Sequence, residues 1–580
     1  MPQVCRVRPA VNAAACCALA ALALVAAGAA KDAHAGALRP QRFVGVAAQP
    51  AQSAVPGSEP SEQPSPAATE SGAPQPPLPQ QSGVPEPQES VEPAAPAPIV
   101  ISPVSAQVVL GHSVSVHVIS PPSGLLSLSG FDANIVRAVF NPIERSIDLF
   151  GLRAGSTTVT ATGESGVSAT LSVTVLTYAG KASNSASATI TGNPASADFV
   201  AQTAAQAAKL IAYPEPGARV LVDSTQVRQA HQLPANNAST VLVPLSITGP
   251  GYAPYNQTVS VRLTNLAQPA LPPKNLLVSD FPETIVENGT LFYADVNFDD
   301  PARLLYYHYA AARSITRRVL VKAQNSGVES SLVMLISGIA GPDPNILSIG
   351  HESTKRFLIH EAAGEGQIFE VPPGATINVV DQLLPAGNLV SGLMQMRVVA
   401  GDGVRVAVVV QNADETAVEP ISDTLLSSAV KHARGIYQVP DFFYDVSYAV
   451  GADPATLTIG KLPLPNLVQG EVLGGDYGVK QSAAITLLNS TPRDARVGMW
   501  FEPRGGRATG TFLIDGRLVQ LHPVGVGRPA LMRTFIVPAR GYRKINIVTM
   551  PEGGSSYPVR VTFASDPPPN GGWNMSSAVY

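Results

Sequence analysis

From Ile99 onward, apolar and polar residues alternate in short runs. "AQVVLGHSVSVHVIS" keeps a period of two from Val108 to Val118, and "RSIDLFGL", "STTVTAT" and "ATLSVTVL" continue the rhythm. A period of two puts one face of a strand in a core and the other in water. Several such strands within residues 99–177 predict a small antiparallel sandwich. In "FGLRAGSTTVTATG", residues 150–163, Gly151 and Gly155 predict a corner, and Ser156–Thr162 a β-branched strand with one wet face. A phosphate loop would need Lys-Ser/Thr opening a helix, whereas here Gly155 leads into a strand.

The period changes at "SADFVAQTAAQAAKLIA". Phe199, Val200, Ala204, Ala207, Ala208 and Ile211 form a helical stripe, Ser196 is an N-cap, and Pro214 and Pro216 stop the helix. The strands "ARVLVDS", "STVLVPLSITG" and "QTVSVRLTNL" follow, so residues 178–272 read as a helix plus a β-rich domain. Beyond Asn275 the pattern repeats. Phe369-x-Val371-Pro372 and Phe535-x-Val537-Pro538 stand at similar distances after Asn325 and Asn489, which predicts two copies of one unit: a hairpin, a crossing, and a strand entering through proline. The copies are sandwiches at 273–415 and 476–566. Asn288-Gly289, Asp402-Gly403 and Asp515-Gly516 predict tight hairpins. Between the copies, 416–475 reads as a connecting segment. In it, a helix capped by Asp423 ends at Gly435 and an aromatic stretch follows.

Gly111-x-Ser113, followed by Gly151-Leu152-Arg153-Ala154-Gly155-Ser156-Thr157-Thr158-Val159-Thr160, resembles the bacterial Ig-like domains of invasin- and intimin-type surface proteins over residues 99–177. The short N-terminal domains of pilus-assembly secretins are a second relative of this pattern. The Asn-plus-proline pattern within 275–565 is similar to Ig-like modules of bacterial surface proteins. The resemblance implies a sandwich in an exported envelope protein and brings no catalytic residues. The expected fold class is all-β: a multidomain chain of Ig-like antiparallel β-sandwiches with a few short helices.

At 580 residues the chain exceeds what one core can fill. Arg6, Arg8 and the apolar "ACCALAALALVAAGAA" read as an export signal over 1–35, cleaved after Ala35, with Ala29 or Ala30 as alternative sites. A retained membrane anchor is the competing reading, and the run is short for it. Without that anchor, no stable membrane span remains after cleavage. Residues 36–98 read as a Pro-rich disordered linker; 44–98 hold six glutamates and no lysine, arginine or aromatic residue. Residues 567–580 read as a flexible tail. All three cysteines, Cys5, Cys16 and Cys17, lie in the leader, so the mature chain has no disulfide and no thiolate metal site. A net charge of −4 gives no electrostatic case for a nucleic-acid partner.

Four groups of residues carry candidate chemistry. Ser428 and Lys431 match the Ser-x-x-Lys motif, in which a lysine deprotonates a serine one helical turn away; the Ser-Asp-Asn and Lys-Thr-Gly partners are missing from the sequence. A solvated helix face is the alternative. Asp295, Asn297 and Asp299 have the spacing of a calcium loop, but Asp300 and Tyr306 occupy the positions of its glycine and glutamate. An acidic hairpin edge is the alternative there. His351-Glu352 and His360-Glu361, on expected strands or loops, lack the His-Glu-x-x-His pattern of zinc enzymes. Tyr437, Phe442, Phe443, Tyr444 and Tyr448 form either a sugar- or peptide-docking surface or a sandwich core, and Tyr306–Tyr309 pose the same choice. No cofactor is expected. The expected function is that of an exported, non-catalytic envelope protein, in the periplasm, on the cell surface or outside the cell. It would work in adhesion, scaffolding or surface assembly with a protein or glycan partner. The alternative is a secreted carbohydrate-binding accessory or hydrolase.

Overall fold

The computed structural model describes residues 6–8, 97–120, 124–415, 421–438, 440–468 and 470–568. Apart from Arg6–Arg8, the leader at 1–35 lies outside the described residues. So do nearly all of the linker and the tail from 569 on. Strands dominate what is described, joined by two α-helices, Ala197–Leu210 (α1) and Ile346–Ala363 (α2).

The first unit is a sandwich of two four-stranded sheets. Val116, Val118, Ile147 and Leu149 from one sheet meet Val108, Val159, Leu171 and Val173 from the other. All eight come from the alternating runs. Gly151 and Gly155 do form a corner. A Cβ on Gly151 would lie 3.0 Å from the Val109 carbonyl oxygen, so this corner packs too closely for a side chain.

The second unit is a sheet with α1 laid on one face. Ser196 caps the helix, its hydroxyl accepting from the Phe199 amide at 3.3 Å. The helix buries Phe199, Val200, Ala204, Ala207 and Ala208 against Val241, Val243, Val259 and Val261. Its strand Ser185–Thr191 runs parallel to Tyr255–Asn265 and antiparallel to Gly366–Val371 of the next unit. One eleven-stranded sheet therefore crosses the expected boundary near 273.

The third and fourth units share one plan. Arg317–Gln324 pairs with Thr376–Leu384, as Lys480–Asn489 pairs with Gly541–Thr549. Ser331–Asp343 lies between Gly366–Val371 and Leu389–Ala400, as Ala495–Pro503 lies between Ala530–Val537 and Val559–Ala564. Where the first copy inserts α2, the second inserts the hairpin Ala508–Ile514 and Arg517–Val524. A buried asparagine turns the corner in each copy. Asn325 Nδ2 donates to the Glu329 and Val371 carbonyls at 2.7 and 2.9 Å. Asn489 Nδ2 donates to Arg493 and Val537 at 2.8 and 3.1 Å. The expected hairpin is in fact an arch: each asparagine carries the chain from one sheet to the facing one.

Of the three dipeptides, Asp515-Gly516 makes a two-residue hairpin, with Ile514 opposite Arg517 and φ of 49° and 75°. Asp402-Gly403 instead links strands of facing sheets, and Asn288-Gly289 likewise joins strands that do not pair. Such dipeptides permit positive φ, but burial decides which strand becomes the neighbour.

The segment 416–475 differs most from expectation. No helix forms over 421–433. The Leu426 amide bonds the Thr290 carbonyl, and its side chain packs on the third unit's core. Arg434–Gln438 then pairs with Asn275–Ser279, Asp441–Ala449 with Lys480–Asn489, and Ala455–Ile459 with Val559–Ala564. The supposed connector is thus built into both sandwiches, and the gain from burial and pairing overrides its local helical pattern.

Candidate functional site

None of the expected sites assembles. Ser428 and Lys431 are exposed and point apart: the Ser428 hydroxyl accepts from the Val430 amide at 3.4 Å, while the Lys431 ammonium sits 5.1 Å from the centre of the Phe281 ring. Without the helix, the spacing that would join them is lost. Tyr437, Phe442, Tyr444 and Tyr448 are core residues, and only Phe443, 45% exposed, faces water. One ring gives no stacking platform. Tyr306, Tyr307 and His308 are likewise buried. Asp295 is held by the Arg405 guanidinium at 3.0 Å, and it lies with Asn297 on a regular strand, Gly289–Asn297, rather than in a calcium loop; Asp299 follows at a left-handed φ of 56°.

His351 and His360 lie on α2, not on strands or loops. Nine residues is two and a half helical turns, so they face opposite ways. His351 Nδ1 sits 3.0 Å from the fully buried carboxylate of Glu552 in the fourth unit, which Thr509 also reaches. His360 Nδ1 donates to the Ser337 carbonyl, and its ring meets Phe199 edge-on. These contacts lock α2 to its neighbours. A cavity of about 680 Å³ between α1 and α2 holds mostly satisfied pairs: Glu352 with Lys355 and Arg356, and Gln367 with Gln206.

A different cluster has its charges less completely answered. The turn after Asn275–Ser279 carries Asp280 and Glu283, and the segment leading into Arg434–Gln438 carries His432. Because these two strands pair, the three residues meet across the sheet end, far apart in sequence. His432 Nε2 lies 3.2 Å from Glu283 Oε2, and Nδ1 lies 3.8 Å from Asp280 Oδ2. All three side chains are about one-third exposed and open on a cavity of about 550 Å³ bordered by Tyr307, Glu471 and Tyr477.

The backbone around the turn is fixed from several sides. The Asp280 amide donates to the Ala433 carbonyl at 3.1 Å, and the Tyr309 amide donates to the Glu283 carbonyl at 2.8 Å. His308 lies beneath, fully buried, 3.0 Å from the Pro282 carbonyl through Nδ1 and 3.1 Å from the Ser279 hydroxyl through Nε2. Burial pushes its pKa down to about 4, so it is neutral near pH 7. A carbonyl only accepts, so Nδ1 carries the hydrogen and Nε2 accepts from Ser279. The Arg434 guanidinium lies over the Phe281 ring at 4.6 Å and donates to the Phe281, Leu291 and Leu426 carbonyls.

Desolvation, together with the negative charge of Glu283, pushes the Asp280 carboxyl up to about 6, against the opposing pull of His432. The His432 imidazole moves up from its ordinary value, first through the Asp280 carboxylate beside it. Asp280 Oδ1 is buried with no hydrogen-bond partner. A titratable trio with one orphaned oxygen at a cleft suits a proton or a cation.

No family model matches the chain, and a search of curated proteins finds no match. Among solved structures, it is similar to the fibronectin(III)-like modules of CbhA from Clostridium thermocellum at 12% identity, covering 29% of this chain and 94% of that one, with a TM-score of 0.15. Human mucin-like protocadherin gives 11%, 29%, 98% and 0.12. The M60 catalytic domain with two CBM51 domains from Clostridium perfringens ZmpB gives 10%, 77%, 55% and 0.14. TM-scores this low carry no functional argument. By its own strand order, the chain is a multidomain all-β protein, with sandwiches of the generic Ig-like kind in three of its four units.

Proposed function

We propose that this chain is an exported cell-envelope protein of the invasin- and intimin-like kind, working in adhesion, scaffolding or surface assembly. The observation that carries the reading is the filled and continuous construction of its strand units, whose interiors are packed with Val, Leu, Ile and Phe. A sheet that crosses from the second unit into the third suits a rigid presenter of surfaces. The basic-apolar leader and the proline-rich stretch after it suit export and display at a distance. Among the described residues, no helix is long and apolar enough to cross a membrane.

The test is export of the full chain in a Gram-negative host, followed by fractionation, N-terminal sequencing and protease shaving of intact cells. The expected result is a mature chain beginning at Gly36 in the envelope fraction, with residues 1–35 required for its arrival. A chain left unprocessed in the cytoplasm overturns the proposal.

A further inference from the structure

We infer that Asp280, Glu283 and His432 form a binding site for one divalent transition-metal ion of the zinc type. One ligand atom from each residue lies within 4.8 Å of the other two. The donor set is one imidazole nitrogen and two carboxylate oxygens. That mixture favours a borderline ion over calcium or magnesium, which prefer oxygen alone.

Two observations favour an ion over a self-contained salt bridge. Asp280 Oδ1 is buried and unpartnered, so the hydrogen bonds of the trio leave one acceptor unanswered. An ammonium or guanidinium would also serve, but the nearby cations are engaged elsewhere. Lys431 lies over the Phe281 ring, and Arg434 over the same ring with its hydrogen bonds on main-chain carbonyls. With His432 neutral, the trio carries two negative charges, which a divalent ion balances.

The scaffold is already set for this. His308 holds the Pro282 carbonyl between the two carboxylate residues, and the Asp280–Ala433 main-chain bond sets His432 opposite them. Outer contacts that fix ligand residues in this way are a regular part of metal sites. Three protein ligands leave a coordination position facing the cavity, where Tyr307, Glu471 and Tyr477 stand.

The test is isothermal titration of the metal-stripped mature chain with zinc chloride, with calcium chloride as the comparison. One zinc per chain is expected, with calcium at least about tenfold weaker. Affinity should rise as the pH climbs out of the acidic range, because the ion must displace protons from its histidine and carboxylate ligands. His432→Gln and Glu283→Gln should each weaken zinc by about 100-fold or more, while His117→Gln, at an exposed side chain of the first unit, leaves it unchanged. Thermal midpoints without metal show whether each variant is folded. Glu283→Gln, at a partly exposed side chain, is the variant that keeps the test open should the other misfold. No binding at millimolar zinc, or wild-type affinity in a folded variant, overturns the inference. A failure here leaves the export experiment untouched.

Discussion

Cutting either corner asparagine to alanine should destabilise the block formed by the third and fourth units, the Asn489 corner somewhat more than the Asn325 corner. Asn325 and Asn489 are 1% and 2% exposed, so water cannot replace what they supply. Asn325→Ala removes two donated bonds, at 2.7 and 2.9 Å, and one accepted from the Gly327 amide at 2.8 Å. Asn489→Ala removes donations to the Arg493, Val537 and Pro538 carbonyls and the bonds accepted from the Thr491 amide and hydroxyl at 3.0 and 2.7 Å. At about 1 kcal/mol net per bond, the three bonds of Asn325 amount to about 3 kcal/mol, and the two further bonds of Asn489 add up to about 2 kcal/mol more. Orphaned carbonyls raise that figure and partial relaxation lowers it. For a block of about 300 residues, with about 2.1 cal/mol/K of unfolding entropy per residue, 3 kcal/mol corresponds to a fall in melting midpoint of about 5 °C. Urea unfolding followed by far-ultraviolet circular dichroism reads the same loss as a lower midpoint at unchanged slope. The Asn→Asp variants should lose more at neutral pH, since a carboxylate then faces carbonyl oxygens. A loss under about 1 kcal/mol at either site refutes the reasoning. So does a loss at one asparagine several times that at the other, because the two corners would then not be equivalent.

Two further outcomes follow from buried groups. Burial pushes the Asp476 carboxyl up to about 7, against the lowering pull of the Leu462 backbone and the Gln481 side chain. A raised native pKa means that the folded chain holds its proton more tightly than the unfolded one. Stability therefore falls as the pH climbs from about 4 to about 7 and levels off above that, by an amount on the order of 4 kcal/mol. Asp476→Asn should flatten that slope in melting curves taken across the range, and an unchanged slope rules the assignment out. His308→Phe keeps the volume but orphans the Pro282 carbonyl and the Ser279 hydroxyl. It should lower stability by roughly 2–5 kcal/mol in the same urea assay, and a neutral result would contradict a stabilising role for the two hydrogen bonds of His308.

Much of the fold was legible in residue order because period-two runs state which face is buried. Val108, Val116, Val118, Val159 and Val173 lie on the inward phase of those runs and share one core. The Asn325 and Asn489 spacing was readable too, since a corner needs the same donor at the same distance from the strand it holds. Helix α2 was missed although Asn345 caps its start and Gly364 ends it. Its interior glycine explains why: a Cβ at Gly350 would lie 1.8 Å from the Gly553 carbonyl oxygen, so the helix carries a residue that lowers helical propensity in order to pack there. With two sides of α2 covered by different units, no single apolar stripe marks it. The opposite error fell at 421–435, where a good local pattern lost to the burial of Leu426 and the pairing of Arg434–Gln438. The Asp280, Glu283 and His432 cluster had no sequence signature, because only the pairing of two distant strands brings its members together.

The ladder between Ser185–Thr191 and Gly366–Val371 has a mechanical consequence. Ten strands lie along that sheet's path, nine steps of ~4.8 Å, spanning about 43 Å without a swivel. A load entering the second unit passes into the third through backbone hydrogen bonds rather than through a pliant joint. Under tension the second and third units should move as one girder, with no slack between them.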